Sequence, residues 1–345
     1  MTEPTTPLGE PVNRLHPRRS EPSGSSIPKV QPIAGNWPPG CRAYLASFAQ
    51  ARLWFLHQRE TQLSVDHLPL LWRLTGALNL AALQQALSDL IERHPTLRSS
   101  FQVLDDEVMQ LLHPAAPFAL EAESLDDRDA DDVVAAWLEQ EACTPFDLGS
   151  GLLLRGRLLQ VAEDQHILLL NHHQIASDGW SNSVLTRDLT ALYNARRNGG
   201  SPELQPLAVH YRDYAAWQRQ RLSGSRLREL QGYWIEALTG LQPLELPSDR
   251  PRPAEPSYRG GRVAFRITAA QLQPFEDLCR SHGATLQMGL LALLALLLHR
   301  ISRQADLAIG VPIWGRNHPD LESLIGFFVN TLPIRTHFSP QLSFR

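Results

Sequence analysis

Two apolar runs, Leu152 to Val161 and His166 to Leu170, lie on either side of a short polar stretch, Ala162 to Gln165. Runs of that length around a polar break predict a pair of buried strands. A further strand is expected at Leu70 to Leu74. Phe101 to Leu104 and Val108 to Leu112 flank the acidic turn Asp105-Asp106-Glu107 and predict a hairpin. Helical spacing alternates with these strands. Leu80, Leu83, Leu87, Leu90 and Ile91 form one stripe behind Asn79, a residue type that caps helices well. Another helix should follow Gly179, with Val184, Leu185, Leu189 and Leu192 facing inward. Strand and helix patterns are thus mixed along this part of the chain.

The pattern changes at both ends and once in between. Residues 1–40 are rich in Pro, Ser, Gly and Thr, with too little apolar surface to offset chain entropy, and are expected to form a disordered leader. An N-terminal lobe is expected over 41–221. Residues 222–256 hold Gly224, Pro243, Pro247, Pro251, Pro253 and Pro256 and are taken as a crossover linker. Residues 257–345 then form part of a second lobe. It should contain a strand at Val263 to Ile267, an apolar helix from Thr285 to His299 and a buried strand at Leu307 to Pro312. No internal repeat is visible.

Composition narrows the function classes. The chain has 345 residues, 43% hydrophobic and 20% charged, enough for sizeable cores. Its net charge of −4 and scattered arginines argue against nucleic acid as partner, which would require a clustered cationic face. Cys41, Cys143 and Cys279 lack metal-type spacing and read as free thiols of a reducing compartment. No secretory leader is apparent, and the longest apolar run, Met288 to Leu298, is too short to span a bilayer. A cytoplasmic protein without membrane contact is expected.

Candidate chemistry centres on Asn171 to Ser181, NHHQIASDGWS. A buried strand brings His172 and His173 to its end, where one imidazole can face a channel and the other pack behind it. Histidine gains and loses a proton near neutrality. An attacking α-amine, with a pKa of ~8, needs positioning more than a strong base. His173 is therefore expected as an orienting acceptor or a general base. Asp178 should fix the turn, and Gly179 should allow a conformation or close approach that a side chain would block. Adjacent strand histidines diverge and no second His/Cys pair completes a site, so no metal is expected. No G-x-S-x-G elbow indicates a serine hydrolase.

Read as a His-His-x-x-x-Asp-Gly signature, this segment resembles the condensation domains of nonribosomal peptide synthetases, relatives of chloramphenicol acetyltransferase. Other segments stand in the same order. SFAQARLWFL (Ser47 to Leu56) and RHPTLRSSF (Arg93 to Phe101) precede it, and YRDYAAWQ (Tyr211 to Gln218) and IGFFVNTLPIR (Ile325 to Arg335) follow. LPSDRPRP (Leu246 to Pro253) and GVPIWGRNHPDLE (Gly310 to Glu322) also fit. Asn171 and Gln174 replace residues that are usually apolar, and Pro95 replaces a usual Glu.

The resemblance implies an α/β fold of two acetyltransferase-like sandwich lobes in a V around a channel. The second lobe is expected to be incomplete, because the family's sixth and seventh motifs lie beyond Arg335 and are absent. Aminoacyl and peptidyl thioesters would arrive on the phosphopantetheine arms of carrier proteins loaded by an adenylation domain, with no cofactor bound directly. The acceptor amine would attack near His173. Arg316 is the expected partner of Asp178 across the lobes. Arg93 and Arg98 are expected to serve a helix end first and substrate second. Trp180 and Ser181 should cap and pack, Asn330-Thr331 should form a turn, and Tyr211, Tyr214 and Trp217 should be core. The alternatives are epimerisation, ester formation or coenzyme A-dependent acyl transfer on the same scaffold, or a fragment that catalyses nothing.

Overall fold

The computed structural model describes residues 26–59, 65–125, 129–251, 253 and 260–339. The N-terminal elements run β1 (Arg42–Leu45), α1 (Phe48–Arg59), β2 (His67–Thr75), α2 (Leu80–Arg93), β3 (Ser99–Leu104), β4 (Glu107–Leu112), β5 (Glu121–Ser124), α3 (Ala130–Cys143), β6 (Leu154–Ala162), β7 (Gln165–His173), α4 (Gly179–Asn198) and α5 (Tyr211–Arg221). There follow α6 (Gly224–Leu238), α7 (Ala269–Ser281), α8 (Leu286–Ser302), β8 (Asp306–Ile313) and β9 (Asn330–His337).

A four-stranded sheet in the order β2-β7-β6-β5 organises the first part. β6 and β7 are the two apolar runs, paired antiparallel around the polar turn. Alternation along β7 divides the core. Leu168 and Leu170 face Leu83, Leu87 and Leu90 of α2 and Val184, Leu185 and Leu189 of α4. Ile167 and Leu169 face Val133, Val134 and Trp137 of α3. β7 is thus covered on both faces, as its near-continuous apolar sequence requires. Asn79 caps α2 as expected, its Oδ1 accepting the Ala82 N–H at 3.0 Å. The predicted hairpin is β3–β4, and β1 completes a three-stranded sheet beside it.

Tyr211 and Tyr214 are core residues, packed with Val209, Leu321, Leu324 and Phe328. The Tyr211 hydroxyl donates to the Phe327 carbonyl at 2.6 Å and lies 2.9 Å from Ser47 Oγ. One buried phenol therefore joins three separate segments of the chain.

Several expectations are corrected. Residues 26–40 of the expected leader are in part built into the fold. Ile27 is buried in the Tyr211 cluster, Val30 N–H donates to Asp213 Oδ1 at 2.9 Å, and Ile33 bridges to Ala43. Residues 1–25 lie outside the described residues. The proline-rich crossover begins with a regular helix, α6, because residues 225–238 contain no proline. Val263 to Ile267 forms no strand, and Val263 and Phe265 are 89% and 86% exposed. Its alternation is that of a strand, but no described strand pairs with it. β8 matches the expected strand, yet only its Leu307 is buried. Asn330-Thr331 opens β9 rather than forming a turn. Charged residues cluster from Asp126 to Asp132, of which residues 126–128 lie outside the described residues. Among the described residues, no single helix is long and apolar enough to cross a membrane.

Candidate active site

β7, an inner strand of the four-stranded sheet, delivers its histidines at its C-terminal end, and strand alternation separates them. His172 turns toward α4, where its Nε2 lies 3.1 Å from Asn182 Oδ1. His173 turns to the other face. Its ring centroid is 5.6 Å from that of His57, 5.8 Å from Phe146 and 6.1 Å from His67, its register partner on β2. Both imidazoles are 0% exposed. Burial lowers the His172 pKa to about 4, with the Asn182 hydrogen bond and the Asp178 charge opposing it. Burial lowers that of His173 to about 3, and His57, His67, His172 and Arg155 push it the same way. Both rings are neutral at ordinary pH.

The partners assign the tautomer of His173. Its Nδ1 accepts the Ile175 backbone N–H at 3.0 Å, so the ring hydrogen sits on Nε2. That Nε2 is buried without an acceptor. The ring offers a donor, where the sequence reading expected an orienting acceptor or a base.

A single 3₁₀ turn, Gln174–Ala176, leads from β7 to Asp178, which caps α4. Asp178 Oδ1 accepts from the Ser181 backbone N–H at 2.8 Å and its hydroxyl at 2.7 Å, and Oδ2 accepts the Phe328 N–H at 3.1 Å. Arg316 completes the set through an Nη2 contact of 3.1 Å to Asp178 Oδ1. This ion pair is almost fully buried, with side chains 2% and 1% exposed. Arg316 also donates to the Leu321 and Leu324 carbonyls and lies 4.0 Å from the Phe328 ring centroid. Burial lowers the Arg316 pKa, against the pull of Asp178. Ser181 Oγ accepts from Arg316 at 2.9 Å and lies 3.0 Å from the Gly326 carbonyl. The expected Asp178–Arg316 partnership is therefore present, and it ties the motif turn to the chain from Arg316 to Phe328.

Trp180 starts α4, donates its indole N–H to the Glu322 carbonyl at 3.0 Å and meets Trp314 edge-on at 5.9 Å. Gly179 does not carry the role expected of it. Its φ is not in the left-handed region, and an added Cβ would lie 3.8 Å from Trp314, an ordinary contact.

Three expected residues lie apart from this cluster. Arg93 pairs with the buried Asp188 at 2.9 Å and donates to the Gln205 carbonyl at 2.7 Å. Burial alone would raise the Asp188 pKa, but His94, Arg187 and Arg93 hold it at about 2. Arg98 donates to the Ile91 carbonyl in the last turn of α2 and to the His113 carbonyl, the helix-end role expected first. Asn330 is exposed at the start of β9, where its Oδ1 accepts the Thr331 N–H.

The motif itself needs correction. Four residues, Gln174 to Ser177, separate His173 from Asp178, one more than His-His-x-x-x-Asp-Gly contains. The Asp178–Arg316 cap anchors the Asp-Gly end, so the two positions preceding the three-residue spacer are His173 and Gln174. Of the His172-His173-Gln174 triplet, only Gln174 is not fully buried. Counting back from Asp178-Gly179 would have found it. His57, His67 and Asn182 were also missed, and no local pattern marks them, because they reach the site from α1, β2 and α4. Among the described residues, no group of three or more His, Cys, Asp or Glu is placed to hold a metal ion.

The family model for the condensation domain matches residues 41–345. The chain belongs to the condensation domain family. The domain is 41% identical over 303 residues to a linear gramicidin synthase of Brevibacillus parabrevis, covering 87% of this chain and 6% of the synthase. It is 42% identical over 297 residues to malpinin synthetase of Mortierella alpina, covering 85% and 4%. The domain thus spans about one-twentieth of the length of these curated relatives. Among solved structures, it resembles an X-domain, from a complex with OxyB of teicoplanin biosynthesis, at a TM-score of 0.80 and 34% identity, covering 91% of this chain and 69% of that one. The first condensation domain of the calcium-dependent antibiotic synthetase shares the fold at a TM-score of 0.68 and 21% identity, covering 88% and 71%.

Proposed function

We propose that this domain joins an acyl group, held as a thioester on one carrier protein, to the amine of an aminoacyl group held on a second, as a step of nonribosomal peptide synthesis. The observation that carries this reading is the Asp178–Arg316 lock. It fixes the turn after β7 with a buried ion pair and three further hydrogen bonds to Asp178. A reaction that depends on orienting two tethered substrates needs a rigid turn of this kind. Family membership and the synthetase relatives support the substrate class.

On this reading the substrates come on phosphopantetheine arms, an adenylation domain loads the carriers, and the reaction takes place in the cytoplasm. The amine attacks the thioester carbon, and the tetrahedral centre collapses to an amide and a free thiol. With an amine pKa of ~8, a useful fraction of the nucleophile is already neutral near pH 7. Geometry can therefore supply much of the rate.

The test is a single-turnover reaction of two loaded carriers, with the amide product followed by mass spectrometry. Product above the protein-free control is expected. A second reading, a docking platform without turnover, draws on Gln174 in the motif and on the likeness to the X-domain solved with OxyB. Carrier binding with no amide formed would favour that reading and overturn the first.

A further inference from the structure

His172 and His173, the two imidazoles of the motif triplet, are held inside the protein. Both are 0% exposed. His172 is engaged with Asn182, and His173 takes the Ile175 N–H on one nitrogen and packs against His57, His67 and Phe146. Neither is a useful base near neutrality, since burial lowers their pKa values to about 4 and about 3. Gln174 differs from both. Its backbone is fixed at both ends, the N–H donating to the Asp66 carbonyl at 2.7 Å and the carbonyl accepting from Ser177 N–H at 3.1 Å. Its side chain is only half-buried, and among the described residues its carboxamide makes no hydrogen bond. The triplet thus presents one uncommitted polar group on a rigid turn.

We propose that Gln174 is the substrate-facing residue of the motif and positions the acceptor amine through its carboxamide, with His172 and His173 as supports behind it. This inference rests on the condensation reading above. The carboxamide oxygen accepts one N–H of the amine and turns the nitrogen lone pair toward the thioester carbon. The C–N bond forms as the carbonyl π electrons move to oxygen, and collapse of that oxyanion breaks the C–S bond. The departing thiolate takes the proton from nitrogen, directly or through water, leaving an amide and a thiol. A carboxamide neither gains nor loses a proton in this range, so the amine itself sets the pH dependence. The rate should rise with pH to ~8, without an inflection near the histidine value of ~6.5.

The experiment compares the protein with Gln174→Ala and Gln174→His in the two-carrier single-turnover assay from pH 6 to 9, with melting temperatures confirming that both variants fold. Gln174→Ala should lower the rate roughly three- to tenfold, the loss of one hydrogen bond. Gln174→His should raise the rate at pH 7 on the order of 10²-fold and add an inflection near the histidine pKa. A purely structural role for Gln174 would not move the pH profile. Activity that appears only in Gln174→His would overturn the proposal, because the native carboxamide would then position no amine for reaction. Rates and profiles of both variants matching the unmodified protein would overturn the proposal and leave condensation intact. Silence of all three proteins toward carriers that they bind would instead overturn the condensation reading, and this proposal with it.

Discussion

Substituting either member of the Asp178–Arg316 pair should destabilise the fold far more than an exposed ion pair would. The two side chains are 1% and 2% exposed and meet at 3.1 Å, so removing one leaves the other charged in a nearly dry site. Breaking such a pair typically costs about 3–5 kcal/mol. Asp178→Asn keeps an oxygen for the Ser181 cap, and Arg316 keeps its bonds to the Leu321 and Leu324 carbonyls. The loss should therefore fall near ~3 kcal/mol, the low end of that range. Arg316→Met should cost a similar amount, since three hydrogen bonds to Asp178 remain. At about 2–4 °C per kcal/mol, each single variant should melt roughly 6–12 °C lower. The double variant should lose less than the two added together, with a coupling energy of about 1–3 kcal/mol. Urea titrations and thermal melts of the four proteins measure this cycle. Additive losses below about 0.5 kcal/mol each would refute the lock. An Asp178→Asn protein with an unchanged melting temperature but no chemistry would show that the carboxylate acts on substrate directly.

Acid should weaken the fold before its carboxylates titrate. The unfolded chain takes up protons on histidine below pH ~6.5, whereas folded His172 and His173 resist until about 4 and about 3, so stability is intact above pH ~6.5 and falls as pH drops toward 3. Two such groups imply a loss of about 3 kcal/mol per pH unit between pH 6 and 4. Urea midpoints that do not move between pH 7 and pH 5 would contradict this. His173→Ala should behave as a core truncation, costing about 2–4 kcal/mol on the scale of large-to-small substitutions. An activity loss without any loss of stability would return His173 to the chemistry.

Much of the first part of the fold was legible because local and long-range signals agreed there. Asn79 stands directly before a stripe that repeats at helical spacing, and capping and amphipathicity then name the same helix. The β6–β7 pair was legible because two apolar runs enclose one short polar turn. The partnership of Asp178 with Arg316 was expected from the place of Arg316 in the second lobe, just after the predicted buried strand Leu307 to Pro312. Ile27 and Ile33 were not legible, because single apolar residues in a Pro- and Ser-rich segment reveal no partner. α6 was hidden by the prolines that follow it, although its own span has none. Val263, Phe265 and Ile267 alternate like a strand, but alternation cannot supply the neighbour a strand needs. At the site, the adjacent histidines drew the reading toward an imidazole. Burial, which a sequence does not display, set both aside and left Gln174 as the accessible group.

Direct observation of amide formation between two loaded carriers tests the central claim most closely. Single-turnover reactions at pH 7 and pH 8 should yield the condensed product on the acceptor carrier, faster at pH 8, as an amine with a pKa of ~8 requires. Carriers that bind the domain at both pH values, with no amide formed above the uncatalysed background, would contradict the account.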